Sequence, residues 1–183
     1  PFEEYSSPRW SHELLDCSMP MTFDQYSVCS YQCLYCFAYY QKSVGAGKEQ
    51  YFARDIKAVS LDKIKKIFAE GAKSPFSEYI KARKTMQWGG MADPFDNHEK
   101  HYRVGLDIIR FFREIEYPVS FSTKANWFVH DEEYLEALNA PHFHFKVSII
   151  TGNEYRAKSI ERGAPTVKER LDTIEQLAKL SVN

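Results

Sequence analysis

Strand-like and helix-like segments alternate along this chain, and that alternation limits the fold more than any other feature of the sequence. Each predicted strand is a short apolar or alternating run, followed by a segment with apolar residues at helical spacing. This order predicts an α/β fold with a parallel sheet, either open or barrel-like. The four predicted strands are residues 19–28, 85–88, 119–122 and 143–149.

Capping residues mark where three of the predicted helices begin. Ser60 and Asp131 can each cap a helix, and Thr166 with Glu169 forms a capping box ahead of the last one. The first eighteen or so residues, in contrast, are predicted to be irregular. The four helices carry their apolar faces on Leu61, Ile64, Ile67 and Phe68; on Tyr102, Leu106, Ile109 and Phe112; on Tyr134, Leu135 and Leu138; and on Leu171, Ile174, Leu177 and Ala178.

Length and composition indicate one ordinary globular domain over residues 1–183. The 24 basic and 25 acidic residues leave a net charge of −1, and 44% of the residues are hydrophobic. A balanced charge removes the simplest argument for nucleic-acid binding. No apolar run is long enough to span a membrane, and no secretion signal is present, so we expect a cytoplasmic protein without membrane contact.

Three cysteines lie within eight residues, directly after the first predicted strand, as Cys29-x3-Cys33-x2-Cys36. Three thiols are a poor disulfide set, and in a reducing compartment such a group more often binds metal. Three thiolates can hold three irons of a [4Fe-4S] cluster and leave the fourth iron open to a small molecule. The alternative is a zinc site, which needs a fourth ligand that Cys17 or His12 could supply.

Other polar or flexible residues follow the remaining predicted strands. Gly89, Gly90 and Asp93 come after the second strand, Lys124 after the third, and Ser148 lies near the end of the fourth. Active sites of parallel α/β folds gather at the carboxyl ends of the strands. We therefore expect these residues and the cysteines to converge on one rim.

The cysteine string, with Tyr35 just before the last cysteine, resembles the signature of radical S-adenosylmethionine (radical SAM) enzymes. The stretch 88–95 followed by Glu99 is similar to the strand-two segment of the spore photoproduct lyase and DNA-repair-photolyase-like branch. Residues 122–124, and residues 161–165 with Arg170, resemble two further elements of that branch. These matches extend over nearly the whole chain, from residue 22 to residue 180.

The resemblance implies a partial (β/α) radical SAM barrel of the TIM type. We find about four βα units where the family has six, so the chain is expected to be part of a longer protein or to be completed by a partner. The implied cofactors are a [4Fe-4S] cluster on Cys29, Cys33 and Cys36 and S-adenosylmethionine (SAM), with an external flavodoxin- or ferredoxin-like electron donor.

The implied reaction is reductive cleavage of SAM to a 5′-deoxyadenosyl radical, which takes a hydrogen atom from the substrate. The branch implies a nucleic-acid or nucleobase substrate. Two alternatives stay open: a radical SAM enzyme acting on a peptide or small molecule, and a zinc-stabilised binding module without catalysis. In the lyase itself a Cys near the end of strand two returns the hydrogen atom, whereas this chain has Met91 there, which argues against thymine-dimer lyase activity.

The resemblance also assigns roles in SAM binding. Lys124 and Ser148 are expected to hold the methionine carboxylate. The carbonyls of Gly89 and Gly90 could receive its ammonium group, although two glycines can equally serve a turn. Asp93 could accept hydrogen bonds from the adenosine hydroxyls, or it could cap the following helix.

Tyr35 is expected to pack against the adenine or the cluster.

Several other polar residues are weaker candidates for binding a ligand or a metal. Arginines could bind the cofactor or a substrate phosphate, with surface salt bridges as the commoner explanation. Pairs of histidines could bind metal but are more often structural. These residues are Arg156, Arg162 and Arg170, the pairs His98 and His101, and His142 and His144; Cys17 is expected to be a small buried side chain.

Overall fold

The computed structural model describes residues 2–11, 19–39, 51 and 53–182. The strands are β1 (Glu3–Glu4), β2 (Arg9–Trp10), β3 (Met21–Phe23), β4 (Lys57–Ala58), β5 (Met86–Trp88), β6 (Val119–Thr123) and β7 (Phe143–Val147). The helices are α1 (Leu61–Phe68), α2 (Ser77–Lys81), α3 (Asn97–Tyr102), α4 (Val104–Glu114), α5 (Glu132–Leu138), α6 (Glu154–Ile160) and α7 (Val167–Leu177), with a 3₁₀ turn at Trp127–His130. In the described part of the chain, no helix has the length and apolar character needed to cross a membrane.

Five strands form one sheet in the order β2-β3-β5-β6-β7. β3, β5, β6 and β7 are parallel, and β2 pairs antiparallel with β3. The predicted α/β fold with a parallel sheet is therefore confirmed. Strands β1 and β4 form a separate parallel pair.

The register of the sheet aligns aromatic side chains across neighbouring strands. Phe23 is opposite Trp88, and Trp88 is opposite Phe121. Phe23 and Trp88 meet edge to face with their ring centroids 4.5 Å apart, and both lie within about 6 Å of Phe112 in α4. This aromatic layer is the core between the sheet and its helices.

The prediction of one helix around residues 102–112 is wrong in one respect, because the chain forms two helices there, which meet at Arg103. Arg103 adopts a left-handed conformation with φ 56° between α3 and α4. Its guanidinium donates to Asp131 at 2.7 Å and to Glu133 at 2.6 Å. Tertiary contacts support this break, and the left-handed residue is an arginine rather than the glycine that is usual at such a position.

The strand boundaries also differ from the predicted ones. The first strand is only Met21–Phe23, because at the next residue the Asp24 carboxylate accepts the backbone N–H groups of Met91 and Ala92, both at 2.9 Å. The last strand ends at Val147, before Ser148. The lead-in predicted to be irregular contains β1 and β2, which are too short to give a periodic signal; residues 12–18 of it lie outside the described part.

The predicted helix caps are confirmed. The Ser60 hydroxyl accepts the N–H of Lys63 at 3.2 Å, and the Asp131 carboxylate accepts the N–H groups of Glu133 and Tyr134. Thr166 and Glu169 form the full reciprocal capping box. Local sequence chemistry therefore determines where these three helices begin.

A buried carboxylate, Glu99, connects the first turn of α3 to three other parts of the chain. It accepts the hydroxyl of Tyr26 at 2.8 Å, the backbone N–H of Gly105 at 2.9 Å and the hydroxyl of Tyr134. Burial raises the pKa of Glu99 despite these hydrogen bonds. Gly105 has no side chain to obstruct this contact, since a Cβ there would lie 2.8 Å from the carboxylate.

We expect Glu99→Ala to lower the free energy of unfolding by about 3 kcal/mol, because three buried donors lose their acceptor. Urea denaturation followed by circular dichroism measures this. Glu99→Gln retains an acceptor of the same size and should lose less. Equal losses in the two variants would show that the hydrogen bonds contribute little.

Titration of Glu99 adds a pH signature. Since its folded-state pKa is raised, its stabilising contribution is greatest below the unfolded value near 4.5 and decreases as pH rises through the folded value. The stability advantage of the wild type over Glu99→Gln should therefore shrink with rising pH above about 4.5. An advantage that is constant with pH would contradict the raised pKa.

Candidate functional site

One cavity of about 160 Å³ lies at the carboxyl ends of β3, β5, β6 and β7. Its walls bring together every residue that the sequence analysis assigned to a cluster or to SAM. They also include Tyr31, Phe37, Met91, Ala92 and Ser122. The assigned residues in the walls are Cys29, Cys33, Cys36, Tyr35, Gly89, Gly90, Asp93, Lys124 and Ser148.

Backbone hydrogen bonds hold the first half of the cysteine loop against its surroundings. The N–H of Cys29 donates to the Tyr51 hydroxyl at 3.2 Å. The N–H of Ser30 donates to the Asp96 carboxylate at 2.6 Å, and the Ser30 hydroxyl accepts the N–H of Asn97 at 3.0 Å. The loop is thereby joined to the start of α3.

The second half of the loop is joined to the segment that follows α6. Leu34 donates its N–H to the carbonyl of Ile160 at 2.9 Å, and Gly163 donates its N–H to the carbonyl of Tyr31 at 3.0 Å. A Cβ on Gly163 would lie 2.9 Å from backbone atoms of Ser30 and Tyr31. A glycine is needed here so that the two segments can approach this closely.

The three thiols are free and differ in exposure: Cys33 is buried, and Cys29 and Cys36 are half-buried. Burial raises the pKa of Cys29, and the Asp96 and Asp93 carboxylates raise it further. Burial also raises the pKa of Cys33, although Lys124 opposes this. Thiolates here need positive charge to compensate them, which a metal group would supply if it were bound.

The arrangement of the three cysteines can be compared with what each metal hypothesis requires. Within the described ranges, no three His, Cys, Asp or Glu side chains are placed to share one metal ion. Cysteines that each bind a different iron of a cluster do not have to meet at one point. The donor set of three cysteines on one cavity wall therefore fits an iron-sulfur cluster. Cys17 and His12, the expected fourth zinc ligands, lie outside the described residues.

Gly89 and Gly90 line the cavity and are also required by packing. Gly89 has φ +98°, and a Cβ there would lie 2.6 Å from the Ser122 carbonyl oxygen. A Cβ on Gly90 would overlap the hydroxyl oxygen of Thr22. The turn out of β5 therefore explains both glycines, and it leaves their backbone on the cavity wall.

Asp93 is buried, and its carboxylate is bonded within the chain. It accepts the N–H of Phe95 at 3.0 Å, the hydroxyl of Thr123 at 2.7 Å and the N–H of Lys124 at 2.6 Å. Burial raises its pKa to about 6, against the effect of Lys124 and these hydrogen bonds. Asp93 does not cap the following helix, because the N-cap of α3 is Asp96. Asp93 thus joins the end of β5 to the end of β6.

A buried ion pair between Glu161 and Arg170 lies beside the cavity, and the sequence analysis did not identify it as a pair. Their charged groups are 2.5 Å apart, and both side chains are almost fully buried. Arg170 also donates to the carbonyls of Ser148 at 3.1 Å and Pro165 at 2.9 Å. The salt bridge of Arg170 is therefore buried rather than on the surface, and the contacts of this arginine to a cofactor or a substrate phosphate stay predictions. The only signal was the resemblance of residues 161–165 and Arg170 to one family element.

Glu161 also positions two of the predicted SAM contacts. Its Oε1 atom accepts the hydroxyl of Tyr35, and the Lys124 ammonium lies 3.9 Å from the same oxygen. The same ammonium lies 5.9 Å from the centre of the Tyr35 ring. At 3.9 Å the ion pair is long, so the lysine has hydrogen-bond donors available for another oxygen.

The remaining candidates lie elsewhere. The Nδ1 atom of His98 lies 3.0 Å from the carboxylate of Asp96. Arg162 borders a different cavity together with α6 and the start of α7. His142 borders a third, with Arg83 and Arg113. Of the described residues, those absent from the walls of the cysteine cavity include Arg156, Arg162, His98, His101, His142 and His144; Cys17 is outside the described part.

The described part of the chain has an α/β fold with a parallel sheet, and this fold is similar to that of spore photoproduct lyase. A mutant of that lyase superimposes with a TM-score of 0.68 at 19% sequence identity, over 100% of this chain and 48% of the lyase. A double mutant with bound AdoMet and dinucleoside spore photoproduct gives 0.65 at 21% identity, over 91% of this chain and 44% of that one. A complex with dinucleoside spore photoproduct gives 0.65 at 20% identity, over 100% and 46%.

The chain spans about half the length of these lyase structures. No protein-family model matches the chain, and no curated protein matches it by sequence. The similarity therefore concerns the fold, and the arrangement of strands is consistent with the partial barrel predicted from sequence.

We expect Gly90→Ala to lower the free energy of unfolding by about 2 kcal/mol, because the new methyl group overlaps the Thr22 hydroxyl. Adding Thr22→Ala should restore most of the loss. Gly152→Ala is the matched control, since a Cβ there has no atom within 4 Å. Thermal denaturation of these three variants and of Thr22→Ala alone measures the coupling, and additive effects of Gly90→Ala and Thr22→Ala would contradict it.

Proposed function

We propose that this chain is the cofactor-binding part of a radical SAM enzyme. A [4Fe-4S] cluster, when bound, supplies an electron that cleaves SAM, and the resulting 5′-deoxyadenosyl radical abstracts hydrogen from the substrate. The observation that carries the proposal is the shared cavity. Three cysteines and the six expected SAM contacts surround it, in a fold shared with a lyase structure that holds AdoMet.

Each wall of the cavity would have a defined task. Cys29, Cys33 and Cys36 would hold three irons from one loop. Lys124, placed by Glu161, would bind the methionine carboxylate together with Ser148.

The backbone on the opposite wall would complete the binding of SAM. Carbonyls of Gly89 and Gly90 would accept hydrogen bonds from the ammonium group of the methionine part. Asp93 would keep that wall in place, because its carboxylate is bonded to the ends of both β5 and β6. Tyr35, whose ring faces Lys124, would cover the adenine or the cluster.

For the substrate, the fold favours a nucleobase or nucleic acid, since lyase structures of this fold carry dinucleoside spore photoproduct. Met91 lines the cavity where the lyase branch has its hydrogen-returning Cys, so we do not extend thymine-dimer cleavage to this chain. A peptide or small-molecule substrate is the second candidate, and the nearly balanced net charge of −1 favours it.

The electron donor would be a flavodoxin or ferredoxin in the cytoplasm. Further strands or a partner beside β7 would complete the barrel.

Reductive cleavage of SAM tests the proposal directly. The anaerobically reconstituted protein is mixed with dithionite and SAM, and 5′-deoxyadenosine is measured by liquid chromatography with mass detection. We expect its formation to require the protein, the reductant and iron. Zinc without iron in the purified protein, together with no 5′-deoxyadenosine, would establish the binding-module alternative.

The cysteine assignment is tested by comparing two substitutions. Cys33→Ala should abolish bound iron and 5′-deoxyadenosine formation, because one of three cluster ligands is lost. Cys17→Ala should retain both, since the cluster does not use that thiol. Loss of metal in Cys17→Ala would instead indicate a four-ligand site that includes Cys17.

The lysine assignment is tested through SAM affinity. Lys124→Met should raise the Kd for SAM about tenfold, since a charge-assisted hydrogen bond to the carboxylate is lost. Lys65→Met, an exposed lysine of α1, is the control and should leave the Kd unchanged. Equilibrium dialysis with labelled SAM provides the measurement. An unchanged Kd in Lys124→Met would remove Lys124 from the site.

A further inference from the structure

The cavity beside His142, of about 560 Å³, lies at the edge of the sheet opposite the cysteine cavity. Its walls come from the segments that precede β5, β6 and β7, so it lies at the amino ends of these parallel strands. The cysteine cavity lies at their carboxyl ends and shares no residue with it. The ionisable side chains among the described residues of its walls are Arg83, Arg113, Glu116 and His142.

Arg83 is held in place by contacts within the chain. Its guanidinium donates to the backbone carbonyl of Glu116 and lies 5.8 Å from the centre of the Tyr117 ring. The accepting carbonyl lies just past the end of α4, where the helix dipole also favours a cation. This contact leaves the other donors of the guanidinium without an acceptor in the described chain.

Arg113 lacks such a contact. It lies in the last turn of α4, where the helix dipole again favours a cation, and it is half-buried. In the part of the chain that the structure describes, its guanidinium pairs with no carboxylate and donates to no carbonyl. Charged groups that lose water on burial are normally paired. A bound anion would supply the missing partner.

His142 has an unpaired ring nitrogen at the same cavity. Its Nε2 atom is buried and has no hydrogen-bond partner among the described residues. Burial lowers the pKa of this imidazole, Arg83 and Arg113 lower it further, and Glu116 acts against them. Buried polar atoms in proteins are nearly always paired. This nitrogen is therefore a second, independent indication that the cavity takes a polar ligand.

The charges in the cavity walls define the class of ligand. Two guanidinium groups outnumber one carboxylate, and the N–H donors of arginine match the oxygens of a phosphate. We propose that this cavity binds the phosphate group of a small molecule, with Arg113 and Arg83 as its charged hydrogen-bond donors. The net charge of −1 favours a small molecule over a polynucleotide, which needs many basic contacts.

Ribose 5-phosphate and ribose are a matched pair of probes that differ only in the phosphate group. Each is titrated calorimetrically into the purified chain, at a constant ionic strength set with sodium chloride. We expect ribose 5-phosphate to bind about tenfold more tightly than ribose, because charge-assisted hydrogen bonds to the phosphate are absent with ribose. Inorganic phosphate should compete with ribose 5-phosphate for the site.

Substitutions in the cavity walls assign the effect to named residues. Arg113→Met should remove most of the advantage of ribose 5-phosphate over ribose. Glu116→Gln should bind ribose 5-phosphate more tightly than the wild type does, because it removes a carboxylate that repels the phosphate. Such a gain in affinity cannot result from a loss of folding. Arg156→Met, an exposed arginine of α6, is the control and should bind like the wild type.

Three results would overturn the proposal. The first is equal binding of ribose 5-phosphate and ribose, and the second is an advantage for ribose 5-phosphate that survives in Arg113→Met. The third is binding of a single-stranded oligonucleotide together with no binding of the small phosphate probes. None of these results bears on the cleavage of SAM, because the proposed function depends on the cysteine cavity at the other edge of the sheet.

Discussion

The parallel register of β3, β5, β6 and β7 is the constraint on which the site depends. Because these strands run in the same direction, their carboxyl ends meet at one edge, and the loops that follow them have to share that edge. The cysteine loop, the Gly89–Gly90 turn, Lys124 and Ser148 come from four separate parts of the chain. Asp93 and Asp96 then bond these parts together, Asp93 to β6 and Asp96 to the cysteine loop.

The charged groups around the cavity would suit the cofactor that we propose. Burial raises the pKa values of the Cys29 and Cys33 thiols, so binding of a metal group would be coupled to the loss of their protons. The opposite charges of Glu161 and Arg170 compensate each other. Removing one partner of a buried ion pair of this kind is strongly destabilising. Its geometry places Tyr35, Lys124 and the carbonyl of Ser148 around one side of the cavity.

Much of this arrangement could be predicted from the sequence. The alternation of strand-like and helix-like segments predicted the parallel sheet, and capping residues such as Thr166 with Glu169 predicted where helices begin. Both predictions succeeded because both patterns are local in the sequence. The break at Arg103 and the strands β1 and β2 depend on distant partners and leave no local pattern. For the same reason Arg170 could be noticed as a residue but not paired with Glu161, since a buried pair is determined by packing. The family resemblance supplied the roles of the cavity residues, which composition and spacing alone could not give.

An EPR spectrum of the anaerobically reduced protein, recorded with and without SAM, tests most directly whether the three cysteines leave one iron open. If they do, iron analysis gives about four irons per chain, and the cluster signal shifts when SAM is added because SAM binds the open iron. A cluster signal that SAM does not change, or a protein that takes up zinc and no iron, would contradict an open-iron site on Cys29, Cys33 and Cys36.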